Sequence, residues 1–351
     1  MHKPIRVLIV DDSAFVRETL TQALAQTSSI EVVGTAADPY EARDLLLKLK
    51  PDVMTLDMEM PRMNGTEFLR RLLPQWPIPV IMLSSYTARG TTQAMDALSA
   101  GAVEVVFKPL HFSQAGFQDM MIELVQKINF ASQAQVQDPA QMLVEKNAGT
   151  PPGKLAYLSS RFRLIAIGSS TGGPQALTLI LRNLPSDLPA IVIAQHLPAG
   201  FSHFFAARLQ QETPVVTREA IDGETIQKSI IYIAPSGMQT EVLAMGPNLV
   251  FRVFKSAEPM PYNPCIDVLF HSIAKSVGKK SIGVLLTGMG HDGAKGLKSM
   301  LEAGAPTIGQ DERSSVVYGM SAVAKQLGAV DRELPLTIIP GEILRVLRGV
   351  A

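Results

Sequence analysis

The sequence predicts an α/β protein built from two parallel-sheet units, each wound by helices on both faces, with a linker between them. Short runs of branched apolar residues recur along the chain, each followed by a segment with helical spacing. The length, 351 residues, exceeds that of an ordinary single domain. Between residues 129 and 160 the apolar periodicity fades into Gln, Ala, Ser and Pro, the composition of a connector. The expected limits are therefore 1–128 for the first unit, 129–160 for the linker and 161–351 for the second unit.

Composition excludes several classes of function. Lys plus Arg and Asp plus Glu both number 32, so no net field draws nucleic acid or anionic lipid. The single cysteine, Cys265, cannot form an internal disulfide and offers no cysteine cluster to a metal, which fits a reducing cytoplasm. The apolar run at the start is short and ends in Asp11 and Asp12, unlike a secretion signal. The least polar long stretch, residues 188–207, is interrupted by Pro189, His196, Pro198 and His203, so membrane insertion is not expected.

In the first unit, strands are expected at residues 5–10, 31–35, 53–56, 79–83 and 103–107. Asp38, Pro39 and Glu41 supply the cap, first-turn proline and capping-box acid of the second helix. The polar residues that end these strands carry the chemistry, because ligands of open α/β sheets bind beyond the carboxyl ends of the strands. Asp11 and Asp12 end the first strand, Asp57 the third, Ser84 the fourth and Lys108 the fifth. Three converging carboxylates repel one another unless a hard divalent cation such as Mg²⁺ is bound. A phosphoryl group on one Asp would find charge and hydrogen-bond partners in Lys108 and Ser84.

The segments VDDSAFVR, TLDMEMPRMNG, MLSS and FKP resemble the response-regulator receiver family, a flavodoxin-like fold, over about residues 3–127. The resemblance implies that Asp57 accepts phosphate from a histidine kinase. It further implies that Asp11, Asp12 and Asp57 hold Mg²⁺, that Ser84 and Lys108 read the phosphoryl group, and that the peptide before Pro109 is cis. In the connector, residues 140–146 have the composition of a short helix and carry no chemistry.

The second unit is organised around RLIAIGSSTGG, residues 163–173. Residues 164–168 read as a buried strand, and Pro174 with the apolar periodicity of 176–181 opens a helix. Gly168 to Gly172 fit the spacing G-x-S-x-G, which bends the backbone and holds the Ser170 hydroxyl clear of the strand end. Taken by itself, the turn from Ser170 to Gly173 equally suits an anion-binding loop or a plain tight turn. The strand PAIVIAQ runs into His196, and the strand at 281–286 leads to a turn, residues 287–293, that contains Asp292. Ser170, His196 and Asp292 thus fall on one edge of a parallel sheet, with the complementary roles of nucleophile, proton carrier and imidazole orienter. Their chain order differs from Ser, Asp, His in α/β-hydrolases, so the G-x-S-x-G match does not indicate that family. His203 and His271 fall in expected helices, His2 and His111 lie outside this unit, and His291, beside Asp292, stays open on spacing alone.

The blocks IAIGSSTGGPQAL, IVIAQHLPAGF, GVLLTGMGHDGAKGL and IGQDERSSVVYGM resemble the chemotaxis protein-glutamate methylesterase (CheB) family, over roughly residues 162–347 and in the family's order behind a receiver. The second fold is then expected to be a Rossmann-like methylesterase domain. The resemblance implies hydrolysis of glutamate γ-methyl esters on chemoreceptors, and deamidation of receptor glutamines, under control of Asp57 phosphorylation. By motif, Ser170, His196 and Asp292 are catalytic and the Met289 N–H is an oxyanion donor; no metal is implied in this domain. Two departures stand out: Gln239 follows Ser236-Gly237-Met238 where the family commonly has a His, and Cys265 stands in PCID where a Ser is common. Residues 259–264, with Tyr262 among them, read as a rigid loop near the site. The alternatives are a receiver-controlled binding module that uses the Ser170 turn as an anion site without turnover, and a DNA regulator, which would need a basic helix-turn-helix.

Overall fold

In the computed structural model, residues 3–85, 87–109, 114–136 and 162–349 are described. Most of the expected linker, with its segment 140–146, and the histidines His2 and His111 fall outside them. The chain divides into two compact units, Met1–Leu143 and Val144–Ala351.

The first unit alternates β1 (Ile5–Val10), α1 (Ala14–Leu24), β2 (Ile30–Ala36), α2 (Pro39–Leu49), β3 (Val53–Asp57), α3 (Gly65–Leu72), β4 (Val80–Ser85), α4 (Ala88–Ala100), β5 (Glu104–Lys108) and α5 (Gln114–Ala131). Its parallel sheet has the order β2-β1-β3-β4-β5, the flavodoxin-like arrangement. Every residue of β3 is buried, as expected of a strand covered on both faces. The α2 cap forms as expected: Asp38 accepts from the Tyr40 and Glu41 N–H groups, while Glu41 reaches back to Ala37 N–H at 2.7 Å. Helix α5 continues to Ala131, three residues into the expected linker. The cis peptide among the described residues is Asn263–Pro264, not the bond before Pro109.

The second unit is a seven-stranded sheet of order β14-β13-β12-β6-β7-β9-β8, parallel throughout. Its strands are β6 (Leu164–Ser169), β7 (Ala190–Gln195), β8 (Val216–Glu219), β9 (Ile230–Ile233), β12 (Ser281–Leu285), β13 (Thr307–Gln310) and β14 (Arg332–Leu334). The helices are α6 (Gly173–Arg182), α7 (Phe201–Glu212), α8 (Ile266–Ser276), α9 (Ala294–Glu302), α10 (Met320–Gln326) and α11 (Ile339–Leu347). Strands β6 and β7 are buried at every position, which explains their unbroken apolar sequences. The chain builds outward from β6 through β7 to β9 and β8, then returns to lay β12 on the other side of β6. This reversal makes the carboxyl end of β6 the switch point of the sheet, where α/β folds open a crevice.

An antiparallel hairpin, β10 (Gln239–Met245) and β11 (Asn248–Phe254), stands apart from this sheet. Its residues Val242, Leu249 and Phe251 join Leu269, Phe270 and Ile273 of α8 in the main core. That packing ties α8 to the hairpin and, as shown below, α8 to the site.

Candidate active site

The three strands that meet at the switch point each deliver one polar side chain. Ser170 follows β6, His196 follows β7, and Asp292 lies in the turn between β12 and α9. His196 Nδ1 is 3.2 Å from Ser170 Oγ, and His196 Nε2 is 2.8 Å from Asp292 Oδ2. The structure thus brings together all three residues named from sequence. His291 is exposed, as is His271, and the exposed His203 instead lies 3.8 Å from Glu219.

Local sequence explains how each is held. Gly172, at a φ of 75°, makes the left-handed turn into α6, and a Cβ at Gly173 would lie 1.9 Å from Gln195 Oε1. That space is filled by Gln195, which is buried and fully engaged. Its Oε1 accepts from Ser169 Oγ at 2.6 Å, and its Nε2 donates to the carbonyls of Ser170 at 2.8 Å and His196 at 3.0 Å. Ser170 N–H donates to Thr287 O, and Gly173 N–H to Ser170 O, so two donors that an anion loop would present to a ligand are engaged within the protein.

Asp292 occupies the N-terminus of α8. Its Oδ2 accepts from Ile266 N–H at 2.7 Å, and its Oδ1 from Asp267 N–H at 3.0 Å, Gly293 N–H at 3.0 Å and the Cys265 thiol at 3.1 Å. Cys265 is the N-cap position of α8 but makes no side-chain cap, so the carboxylate of Asp292 does that work. Burial pushes the Asp292 carboxyl up. The hydrogen bond and charge of His196, with the Asp267 N–H and the Cys265 thiol, outweigh burial and hold it below the usual carboxylate value. The Cys265 thiol is pushed up to about 12 by burial and by the charge of Asp292, so it stays protonated and donates.

On the β12 side, the Thr287 hydroxyl donates to Thr171 O at 3.0 Å and accepts from Val317 N–H at 3.0 Å, locking the turn against the Ser170 loop. A Cβ at Gly288 would lie 2.7 Å from Ser170 Cβ, so only glycine lets this turn approach the serine. Met289 is the next residue. On the remaining side, the Tyr262 ring stacks on the His196 imidazole, with centroids 4.2 Å apart and planes 4° from parallel.

Gln195 and the Tyr262 stack have no role in the sequence reading, and Gln239 and Cys265 enter it only as departures. A polar residue closing a wholly apolar strand, as Gln195 closes β7, is the signal that could have found the first.

The first unit gathers its own cluster at the carboxyl edge of its sheet. Ligand atoms of Asp11, Asp12 and Asp57 lie within 4.8 Å of one another. Lys108 Nζ donates to Asp11 Oδ2 at 2.7 Å and Asp57 Oδ1 at 2.8 Å. Ser84, fully buried, is the penultimate residue of the intervening β4, which runs past the expected strand end to Ser85. Burial pushes the Asp57 carboxyl up, Lys108 pulls it down, and the charges of Asp11 and Asp12 help burial bring it to about 6. Burial alone would lower Lys108, but Asp57 and Asp11 raise it above its ordinary value. One ammonium therefore pairs with two of three clustered acids, and the three carboxylates together are the oxygen donors that suit a hard dication.

Among known families, residues 165–343 match the CheB methylesterase family and residues 7–115 the response regulator receiver domain. A protein-glutamate methylesterase/protein-glutamine glutaminase of Syntrophotalea carbinolica is 45% identical over 349 residues, covering 99% of each chain. A protein of the same name from Xanthomonas oryzae pv. oryzae is 43% identical over 349 residues, covering 98% of each. The crystal structure of the Thermotoga maritima CheB methylesterase catalytic domain matches with a TM-score of 0.51 and 35% identity, covering 53% of this chain and 98% of that one. With a receiver domain, a methylesterase domain and relatives matched along nearly their full length, the chain belongs to the CheB family of protein-glutamate methylesterases/protein-glutamine glutaminases.

Proposed function

We propose that the protein is a receiver-controlled hydrolase that removes methyl groups from glutamate γ-methyl esters of chemoreceptors and deamidates receptor glutamines, with Ser170, His196 and Asp292 as its catalytic triad. The observation that carries this reading is the unbroken path from Ser170 Oγ through the imidazole to Asp292, at 3.2 and 2.8 Å.

A carboxylate can only accept, so Nε2 of His196 carries the ring proton and Nδ1 presents its lone pair to the Ser170 hydroxyl. As Ser170 Oγ attacks the γ-carbonyl carbon, its proton passes to Nδ1, and the resulting imidazolium is stabilised by the ionised Asp292. Collapse of the tetrahedral intermediate transfers that proton to the departing oxygen, releasing methanol and leaving an acyl-enzyme on Ser170. Water then attacks the acyl carbon with His196 as base, giving a glutamate carboxylate and restoring Ser170. A glutamine follows the same course with ammonia as the leaving group. The close approach of Gly288 to Ser170 supports the Met289 N–H as the donor to the oxyanion.

In the first domain, Asp57 is the phosphoryl acceptor, with a chemotaxis histidine kinase as donor. Lys108 offers its charge, and Ser84 a hydroxyl, to the phosphoryl oxygens. Asp11, Asp12 and Asp57 would hold Mg²⁺, which neutralises charge on the transferring phosphoryl group when bound. Phosphorylation biases the enzyme between a less and a more active arrangement. Among the described residues no helix is long and apolar enough to cross a membrane. We place the enzyme in the cytoplasm, acting on receptor segments exposed there.

Methanol release from membranes carrying methylated chemoreceptors tests the chemistry. The wild-type protein releases methanol and Ser170→Ala and His196→Gln do not. Equal release by folded Ser170→Ala would remove the serine from the mechanism.

A further inference from the structure

We infer that Tyr262 is a positioning residue of the relay, whose ring face holds the His196 imidazole in the single orientation that joins Ser170 to Asp292; this rests on the triad proposed above. The two hydrogen bonds of His196 are made by its ring nitrogens, whose donor and lone-pair directions lie in the ring plane, and they leave two motions open. The imidazole can rock about the line joining its nitrogens, or turn over about Cβ–Cγ. Turning over exchanges Nδ1 for Cδ2 and Nε2 for Cε1, which breaks both hydrogen bonds at once. Small excursions along either motion cost the two hydrogen bonds little, because they weaken only gradually with angle, whereas a ring lying flat on the imidazole opposes both from the outset. Tyr262 lies in that way, 4.2 Å away and only 4° from parallel.

The stack is built into the structure and does not depend on a loose surface side chain. Gln239, fully buried at the start of β10, donates through Nε2 to Tyr262 O at 2.8 Å and Asn263 Oδ1 at 2.7 Å, and accepts at Oε1 from Cys265 N–H at 3.0 Å. Asn263 O accepts from Gly237 N–H at 2.8 Å, tying the loop from a second side. The Tyr262 hydroxyl reaches the turn after β12, where a Cβ at Gly290 would lie 3.1 Å from it. The same short segment continues into Cys265, Ile266 and Asp267, the donors to Asp292. One stretch of chain therefore fixes the face of the imidazole and, through Asp292, its Nε2 edge. Gln239, where the family commonly has a histidine, is the clamp that gives this stretch its shape.

The negative face of the tyrosine ring also favours the positive charge that His196 gains when it takes the serine proton. Both effects belong to the ring and neither to the hydroxyl, which makes the proposal separable from a substrate contact. Tyr262 is only half-buried, so its truncation leaves the core intact.

The test is kcat and KM for methanol release from methylated chemoreceptor membranes, at saturating phosphodonor, for the full-length wild type, Tyr262→Phe, Tyr262→Ala and Ser170→Ala. Tyr262→Phe is expected to keep kcat within about twofold. Tyr262→Ala is expected to lose kcat on the order of tenfold, the effect a stacking contact supports, with KM nearly unchanged. Full kcat in Tyr262→Ala, an equal loss in the Phe and Ala variants, or a change confined to KM would each overturn the positioning role. If Ser170→Ala stays active, it is the triad that fails. If Ser170→Ala is inactive and Tyr262→Ala is unimpaired, only the role of Tyr262 fails.

Discussion

The side-chain amide of Gln195 donates to the carbonyl of Ser170 at 2.8 Å and, from the same nitrogen, to that of His196 at 3.0 Å. The nucleophile and its base, 26 residues apart, are thereby fixed to each other through one buried group. Replacing Gln195 by Leu strands the Ser169 hydroxyl and deprives two carbonyls of a donor. Ser170 O keeps the Gly173 N–H, so two buried polar groups are left unpaired, and at about 1–3 kcal/mol for each the expected loss of stability is about 2–6 kcal/mol. Denaturant unfolding reads the loss, and kcat for methanol release should fall at least tenfold as the two loops separate. Unchanged stability and kcat would mean that Gln195 merely fills space.

Asp292 supplies a pH-dependent share of stability. Its folded-state value lies below the ordinary carboxylate value of about 4, so its contribution is fully present above that value and is lost as pH falls through the lower one. In Asp292→Asn, the α8 N–H groups lose a charged acceptor at a cost of about 3 kcal/mol at neutral pH. The gap between wild type and Asp292→Asn in urea unfolding should be widest at neutral pH and narrow below pH 4. A gap of constant size across this range would show that the carboxylate charge contributes nothing.

The acidic cluster of the receiver predicts stabilisation by Mg²⁺. Asp11 and Asp57 both pair with Lys108, Asp12 lies beside them, and a dication relieves the repulsion among the three carboxylates. The first unit should melt at higher temperature as Mg²⁺ is added, with a gain of about 2.7 kcal/mol at a hundred times the dissociation constant. Asp57→Asn and Asp12→Asn should each weaken the response, and chelation should abolish labelling of Asp57 by a small phosphodonor. A melting curve indifferent to Mg²⁺ would contradict the assigned ligands.

Receiver control predicts an effect of truncation. If the unphosphorylated receiver restrains the esterase, removal of residues 1–153 raises basal methanol release above that of the unphosphorylated full-length protein. A folded truncation no more active than the intact chain would rule out simple inhibition.

The parts of this fold readable in the sequence are those dictated by local pattern. Strands such as LIAIGS and AIVIAQ are buried on both faces and announce themselves as unbroken apolar runs, and the polar residue that follows each marks a strand end. Such patterns place Ser170, His196 and Asp292 at one sheet edge, and Asp11, Asp57 and Lys108 at another. What supports these residues depends on long-range packing and leaves a weaker trace. The α8 N-terminus that holds Asp292 lies 25 to 27 residues before it, and nothing in PCID signals the carboxylate it will meet. Gln239 reads as a departure from a family pattern, and only the structure shows it clamping the Tyr262 loop. The hairpin β10–β11 and the short strands β8, β9, β13 and β14 leave little mark in the sequence, because runs of three or four residues and half-buried, mixed patterns give little periodicity.

The most direct test of the central claim is methanol release from methylated chemoreceptor membranes, measured with and without a small phosphodonor in the presence of Mg²⁺, for wild type, Ser170→Ala and Asp57→Asn. A serine hydrolase under receiver control predicts release that rises with phosphodonor in the wild type, stays at the basal level in Asp57→Asn and is absent in Ser170→Ala. Release that survives in folded Ser170→Ala, or that rises equally with phosphodonor in Asp57→Asn, would contradict it.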